Sequence, residues 1–253
     1  MQRLYKILHF FVTLFFTVLL NSRYYINLTK RKIHWAFSDE NAESKILTEV
    51  ATLTSLPRHL TLILLESNVD LTILAKIIVW SFTIGISYVS VYSTDEDDRR
   101  TELYDEVYQI RQDMTSCDYE LQFSDESLTN HNGLNGSGQK AFRKVHLSTI
   151  PYHKGKEEIT KVAQDYCIGI KNKDNLPNIM SVEHMNNLLE DQRSFPDPDL
   201  ALVFGQLNSV CNYPPWQIRL TEFIFVPSLA VLDHFKFLET LHKYSKCEQR
   251  FGR

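Results

Sequence analysis

The sequence predicts an α/β domain, a central parallel sheet flanked by helices, carried behind an N-terminal membrane anchor helix. Three stretches predict it. His59 to Leu65 (HLTLILL) is a short continuous apolar run, as a central parallel strand covered on both faces requires. Leu71 to Tyr92 changes period at Gly85, from helical spacing before it to β-branched and aromatic residues after it. Ile7 to Leu20 (ILHFFVTLFFTVLL) is apolar except for His9 and two threonines. With 253 residues, 43% hydrophobic and 23% charged, the chain is long enough to bury a sizeable core and is not a disordered segment. A formal net charge of −4 gives no electrostatic reason to expect nucleic acid as a partner.

Arg3 and Lys6 precede the first apolar run and Arg23 follows it. A full membrane span needs about 20 residues, and Tyr24 and Tyr25 extend the run toward that length as an interfacial belt. A cleaved signal peptide has the same shape. Beyond Leu20, however, the chain reads NSRYYINLTKRK, without a small-x-small cleavage site. Residues 1–26 therefore read as a retained anchor. Lys30, Arg31 and Lys32, followed by Trp35 and Phe37, suit a cytoplasmic membrane surface, although the charge asymmetry across the run is slight. Residues 27–56 read as a juxtamembrane linker with an amphipathic pattern around Ala42 to Leu53, and residues 57–253 as the folded domain.

Within that domain, Leu71, Leu74, Ala75, Ile78, Val79 and Phe82 recur at helical spacing, with Asn68 or Asp70 as the N-cap. Gly85 stops the helix, and Ile86, Tyr88, Val89, Val91 and Tyr92 form a strand. Lys76 would be costly at membrane depth, so this long apolar stretch is soluble core rather than a second span. With HLTLILL it makes a βαβ unit, whose right-handed crossover puts both strands in one sheet. Asp95 to Asp98 reads as a solvated turn leading to a helix from Glu102 to Met114, not as a metal site. Residues 124–140 are a polar loop, and Val145 to Ile150 is a strand. Lys156 to Lys171 is an amphipathic helix with Ile159, Val162, Ala163, Tyr166 and Ile170 on one face, and Ser181 to Glu190 is a short one. Leu200 to Phe204 is a strand ending at Gly205, where an active-site loop sits in an α/β sheet. Trp216 to Glu222 is a turn or helix, and Phe223 to Val226 the last strand. Val231 to Cys247 is the last helix, with Val231, Phe235, Leu238 and Leu241 on its apolar side.

Eight glycines are few, and three of them (Gly133, Gly136, Gly138) crowd one polar loop. None forms a GxGxxG or a P-loop, so nucleotide-cradling motifs are excluded. Cys117, Cys167, Cys211 and Cys247 are far apart without a CxxC, and read as buried thiols in a reducing compartment rather than zinc ligands or disulfides. The Asn27 and Asn135 sequons carry no weight beside that. There is no HExxH and no GxSxG, and His234 and His242 share a helix face incidentally.

Several blocks then resemble one family. They are Leu56-Pro57-Arg58-His59, Val79-Trp80, Gly85-Ile86-Ser87-Tyr88-Val89-Ser90-Val91-Tyr92, Ala163-Gln164-Asp165, and Pro196-Asp197-Pro198-Asp199-Leu200 with Phe204-Gly205. Trp216-Gln217-Ile218-Arg219-Leu220-Thr221-Glu222 and the terminal Cys247-Glu248-Gln249-Arg250-Phe251-Gly252 complete the series. In order and spacing they resemble the non-catalytic subunit of eukaryotic dehydrodolichyl diphosphate synthase, the Nogo-B receptor family within the cis-prenyltransferase superfamily. The likeness runs from about Leu56 to the end. It implies a cis-prenyltransferase-like sheet.

That superfamily condenses isopentenyl diphosphate onto an allylic diphosphate, which calls for Mg²⁺ and several cationic or N–H donors. Active members place an Asp-Gly-Asn after the strand that begins with the histidine. Here Leu65 falls where the metal-binding Asp is expected, and Glu66 is one residue later, on the other face. Active members also place an Arg at the end of the strand after Asp-Leu, and here Val203 stands near that position. The resemblance therefore implies a chain inactive alone, paired with a catalytic cis-prenyltransferase subunit that binds most of the Mg²⁺. The Arg250-Phe251-Gly252 tail would enter the partner's active site. Arg250 and the backbone around Gly252 would bind isopentenyl diphosphate there, near the metal. It further implies anchoring at the endoplasmic reticulum membrane with the domain facing the cytoplasm, and a product that feeds dolichol and protein glycosylation. Two rivals stand beside this reading. One is a self-sufficient prenyltransferase using Glu66 or the Asp95–Asp98 run; the other is a non-enzymatic membrane receptor or scaffold.

Overall fold

The computed structural model describes residues 42–94, 99–113, 119–123, 143–152, 155–172, 179–190 and 195–247. The expected anchor over 1–26, the Asp95–Asp98 run and the Arg250-Phe251-Gly252 tail lie outside the described residues. Among the described residues no helix is long and apolar enough to cross a membrane. The chain divides into Met1–Lys45 and Ile46–Arg253. Folded structure thus extends N-terminal of Pro57: α1 (Ala42–Val50) is helical, Ile46 is buried, and the Thr54 hydroxyl donates to the Ser245 carbonyl at 3.0 Å.

Six strands form one parallel sheet: β1 (His59–Leu64), β2 (Tyr88–Ser93), β3 (Tyr119–Phe123), β4 (Arg143–Ile150), β5 (Leu200–Phe204) and β6 (Glu222–Val226). Their order is β3-β4-β2-β1-β5-β6, which makes β1 central, as its unbroken apolar run requires. All of β1 and β5 is buried. Each of their large aliphatic side chains contributes about 1.5–3 kcal/mol by leaving water. The sheet's register (Ile63 beside Tyr92 and Val203, Thr61 beside Ser90 and Ala201) places these residues on one face.

The opposite face carries the helices α2 (Leu71–Ile84), α3 (Arg100–Asp113) and α6 (His234–Ser245). The Tyr104 hydroxyl of α3 meets Thr149 of β4 at 3.2 Å, on that face, and α3 packs along α2. Trp80 of α2 lies 6.3 Å, ring to ring, from both His234 and Phe237 of α6. Helix α2 starts at Asp70, which accepts from the Thr72 N–H, and stops at Gly85, whose φ of 121° suits glycine. The sequence left Asn68 and Asp70 open, and Asp70 is the cap. The helices α4 (Lys156–Lys171) and α5 (Val182–Glu190) share a small core of Val162, Met185 and Leu189, onto which Ile159 and Trp216 pack.

Three expectations need correction. Strand β3 was not anticipated; it is a short strand at the sheet's end, in which buried Tyr119 and Leu121 flank exposed Glu120. The last helix starts at His234 instead of Val231. Ser228 caps a separate 3₁₀ turn over Leu229–Val231, and Asp233 then caps α6 by accepting from the Lys236 N–H at 2.9 Å. That break rotates the buried face onto His234, Phe237, Leu238, Leu241 and Tyr244, and leaves Phe235 51% exposed. Finally, Cys167, Cys211 and Cys247 are exposed free thiols, not buried ones. Cys167 sits on the outer side of α4, and Cys211 lies in a loop with φ 49°. Cys117 lies outside the described residues.

Candidate functional site

The sequence blocks gather at the two ends of the sheet. At the N-terminal end, the Asp199 carboxylate accepts from the backbone N–H groups of Arg58 (2.7 Å) and His59 (2.9 Å), tying β1 to β5. His59 is 2% exposed. Its Nδ1 donates to the Pro196 carbonyl at 2.7 Å, which leaves Nε2 to accept from the Ser90 hydroxyl at 2.8 Å. Burial of the ring lowers its pKa from 6.5 to about 4. Phe195 and Tyr88 close around it, and Tyr88 stacks on His146 at 4.9 Å. The Thr221 hydroxyl donates to the Pro198 carbonyl at 2.7 Å, and the Trp216 indole N–H donates to Asn186 at 2.5 Å. These matched residues hold the sheet and its loops together.

The C-terminal end is where an open α/β sheet places its ligands. Here β1 runs on through Leu65, whose N–H donates to the Phe204 carbonyl at 2.8 Å. Leu65 is half-buried against a cluster of Ile63, Tyr92, Ala201, Val203 and Tyr213, joined by Ile150, Val210, Ile218 and Phe223. Val203 is 1% exposed within it. Leu65 and Val203, the two positions where a carboxylate and a guanidinium are expected, are thus carbon packed against carbon. Gly205 has φ +145°, and a Cβ added there would stand 3.0 Å from the Leu65 Cβ. Glycine is therefore required both by conformation and by the close approach of β1.

Glu66 points elsewhere. One residue beyond Leu65 the side chain leaves on the other face, and its Oε1 accepts from the Leu229 N–H at 2.7 Å. Burial of the Tyr92 hydroxyl holds its pKa well above the ordinary phenol value, so it acts as a neutral group. Among the described residues no three His, Cys, Asp or Glu side chains come together as a metal site. His234 is buried beneath Trp80, and no metal group forms with His242. Among the described residues the donor set at this end does not fit Mg²⁺: Leu65 is apolar, and Glu66 accepts from a backbone amide.

The proposed site residues Arg250, Phe251 and Gly252 lie beyond the last described residue. Helix α6 closes with the Cys247 N–H donating to the Tyr244 carbonyl at 2.9 Å, and Arg250 follows three residues on.

The family described as putative undecaprenyl diphosphate synthase matches residues 66–252. Over 212 residues the chain is 31% identical to dehydrodolichyl diphosphate synthase complex subunit Nus1 of Mus musculus, spanning 81% of this chain and 69% of that protein. This chain belongs to the Nus1 family of cis-prenyltransferases. A second member, from Homo sapiens, is 31% identical over 211 residues, spanning 80% of this chain and 69% of its own. The fold is shared more widely. Lavandulyl diphosphate synthase from Lavandula x intermedia superposes with a TM-score of 0.54 at 18% identity, covering 78% of this chain and 99% of that one. The family resemblance read from the sequence blocks is borne out. What sequence reasoning missed in this Nus1-family site is the use of Glu66 and Asp199. Each is a lone carboxylate beside an apolar strand, and its backbone partner is distant in sequence.

Proposed function

We propose that this chain is the non-catalytic but activity-essential subunit of a heteromeric cis-prenyltransferase, which elongates farnesyl diphosphate with isopentenyl diphosphate toward the precursor of dolichol. The observation that carries the reading is the apolar filling at Leu65 and Val203. A diphosphate transfer site must stabilise the leaving group's charge and hold a metal. This chain offers aliphatic side chains at both places. The relatives' description as complex subunits supports a partner, which in this reading supplies the carboxylates and the magnesium.

In this reading, the tail Arg250-Phe251-Gly252 completes the partner's isopentenyl diphosphate site. The Arg250 guanidinium presents a fork of donors to phosphate, and Gly252 lets the backbone approach closely. Residues 1–26 tether the pair to the endoplasmic reticulum membrane, with the domain in the cytoplasm. Co-expression of the presumed partner with wild type, Arg250→Ala or a chain lacking its last four residues tests the tail. Loss of a charge-assisted phosphate contact of about 1.5–3 kcal/mol lowers polyprenyl synthesis at limiting isopentenyl diphosphate by roughly 10–100-fold. Equal synthesis by all three chains overturns tail donation.

A further inference from the structure

We infer that Glu66 is a positioning residue, whose carboxylate fixes the turn that launches α6, the helix that precedes the Arg250 tail in sequence. The inference rests on the tail reading above. Glu66 Oε1 reaches across the sheet's C-terminal end to the Leu229 N–H at 2.7 Å. Leu229 is 1% exposed and opens the 3₁₀ turn, where the Ser228 hydroxyl accepts from Ala230 instead. Without Glu66 that buried amide loses its acceptor. The same turn is held from the sheet side, where the Gln206 side chain donates to the Pro227 carbonyl at 3.4 Å and the Gly205 N–H to Val226 at 3.1 Å. The turn packs against α2, and Asp233 then starts α6. The helix itself is a stiff rod, seated through Phe237, Leu238, Leu241 and Tyr244. Its 12 residues span about 18 Å, so a shift at its start is carried to its end. Misplacing a binding group by ~1 Å is already enough to lose two orders of magnitude in rate. The carboxylate that follows Leu65 thus acts as a strut for the helix that precedes the tail.

The test uses the full chain co-purified with its catalytic partner, as wild type, Glu66→Leu, Glu66→Gln, Glu66→Asp and Arg250→Ala. Steady-state kinetics are taken separately for isopentenyl diphosphate and the allylic diphosphate, with amide hydrogen exchange across residues 228–233. The expected result is a rise of about tenfold in KM for isopentenyl diphosphate in Glu66→Leu, in the same direction as Arg250→Ala. The allylic KM stays put, and exchange accelerates at Leu229. Glu66→Gln, which keeps an acceptor oxygen, restores both readouts. Glu66→Asp, one methylene shorter, repeats the rise if the leucine variant does not fold. A merely structural loss lowers the amount of active complex and leaves both KM values unchanged; that result overturns the inference. If Arg250→Ala raises the KM and the Glu66 variants do not, the strut is wrong and the tail reading stands. If the Glu66 variants raise it and Arg250→Ala does not, tail donation is wrong and this inference falls with it.

Discussion

Acid should weaken this domain through one identifiable ring. Both nitrogens of His59 are used, Nδ1–H toward Pro196 and Nε2 toward Ser90, so a second proton makes the Ser90 hydroxyl turn to accept and leaves a charge in a nearly solvent-free site. Burial lowers the pKa to about 4 against 6.5 in an open chain. Between those values the unfolded chain binds a proton that the folded chain refuses. Stability is therefore fully present above about pH 6.5 and is lost as pH falls from there toward 4. Each pH unit in that window removes about 1.4 kcal/mol, or roughly 3 kcal/mol in all. The perturbation is His59→Asn, which cannot titrate. The assay is urea unfolding of the full chain at pH 7, 6, 5 and 4, followed by tryptophan emission, with Trp80 buried against His234 and Phe237. His146 is also shifted down by burial, and the difference between wild type and variant cancels its contribution. Wild type should be the more stable at pH 7, and its advantage should shrink by about 3 kcal/mol by pH 4. An advantage that stays the same across the series refutes the reasoning.

Two further outcomes concern residues at opposite ends of the sheet. Val203→Arg introduces a cation but pushes it into a cluster where Val203 is 1% exposed. It should lower stability by about 3 kcal/mol or more and give no turnover of labelled isopentenyl diphosphate by the isolated chain. A stable, self-sufficient variant would show that the site had been open all along. Asp199→Ala removes the acceptor for two backbone N–H groups. It should lower the melting temperature by an amount equal to about 3 kcal/mol, with Asp199→Asn recovering part of it. A melting temperature unchanged by the alanine would mean that β1 and β5 are held together without it.

The parts of the fold that could be read from the sequence are those whose burial is set by position in the sheet. The runs His59–Leu65 and Leu200–Phe204 are apolar on both faces because β1 and β5 lie inside the sheet, and the α2-to-β2 switch is punctuated by Gly85. Strand β3 escaped notice because an end strand alternates and is short, so Tyr119, Leu121 and Phe123 are a weak signal. On α6, Leu238 and Leu241 are buried as expected, but Val231 and Phe235 only continue their spacing, because Asp233 breaks the segment into a turn and a helix. Cysteine exposure depends on which side of α4 a residue occupies, which type alone does not fix. The losses at Leu65 and Val203 were visible residue by residue. That they lie in one packed cluster, and that Glu66 is tied to Leu229, are contacts made between distant segments, which periodicity does not encode.

The 3.0 Å gap between Leu65 and the position a Cβ would take on Gly205 has an evolutionary consequence. The seam is closed by mutual fit, so no side chain can be gained at 205 while Leu65 stays. A carboxylate at 65 would enter a hydrocarbon pocket without its metal, and a guanidinium at 203 would enter it without a phosphate. Either change made alone gives a less stable protein. Under the proposed division of labour the dependence on a second polypeptide then works as a ratchet. In that reading the packing of this sheet maintains it.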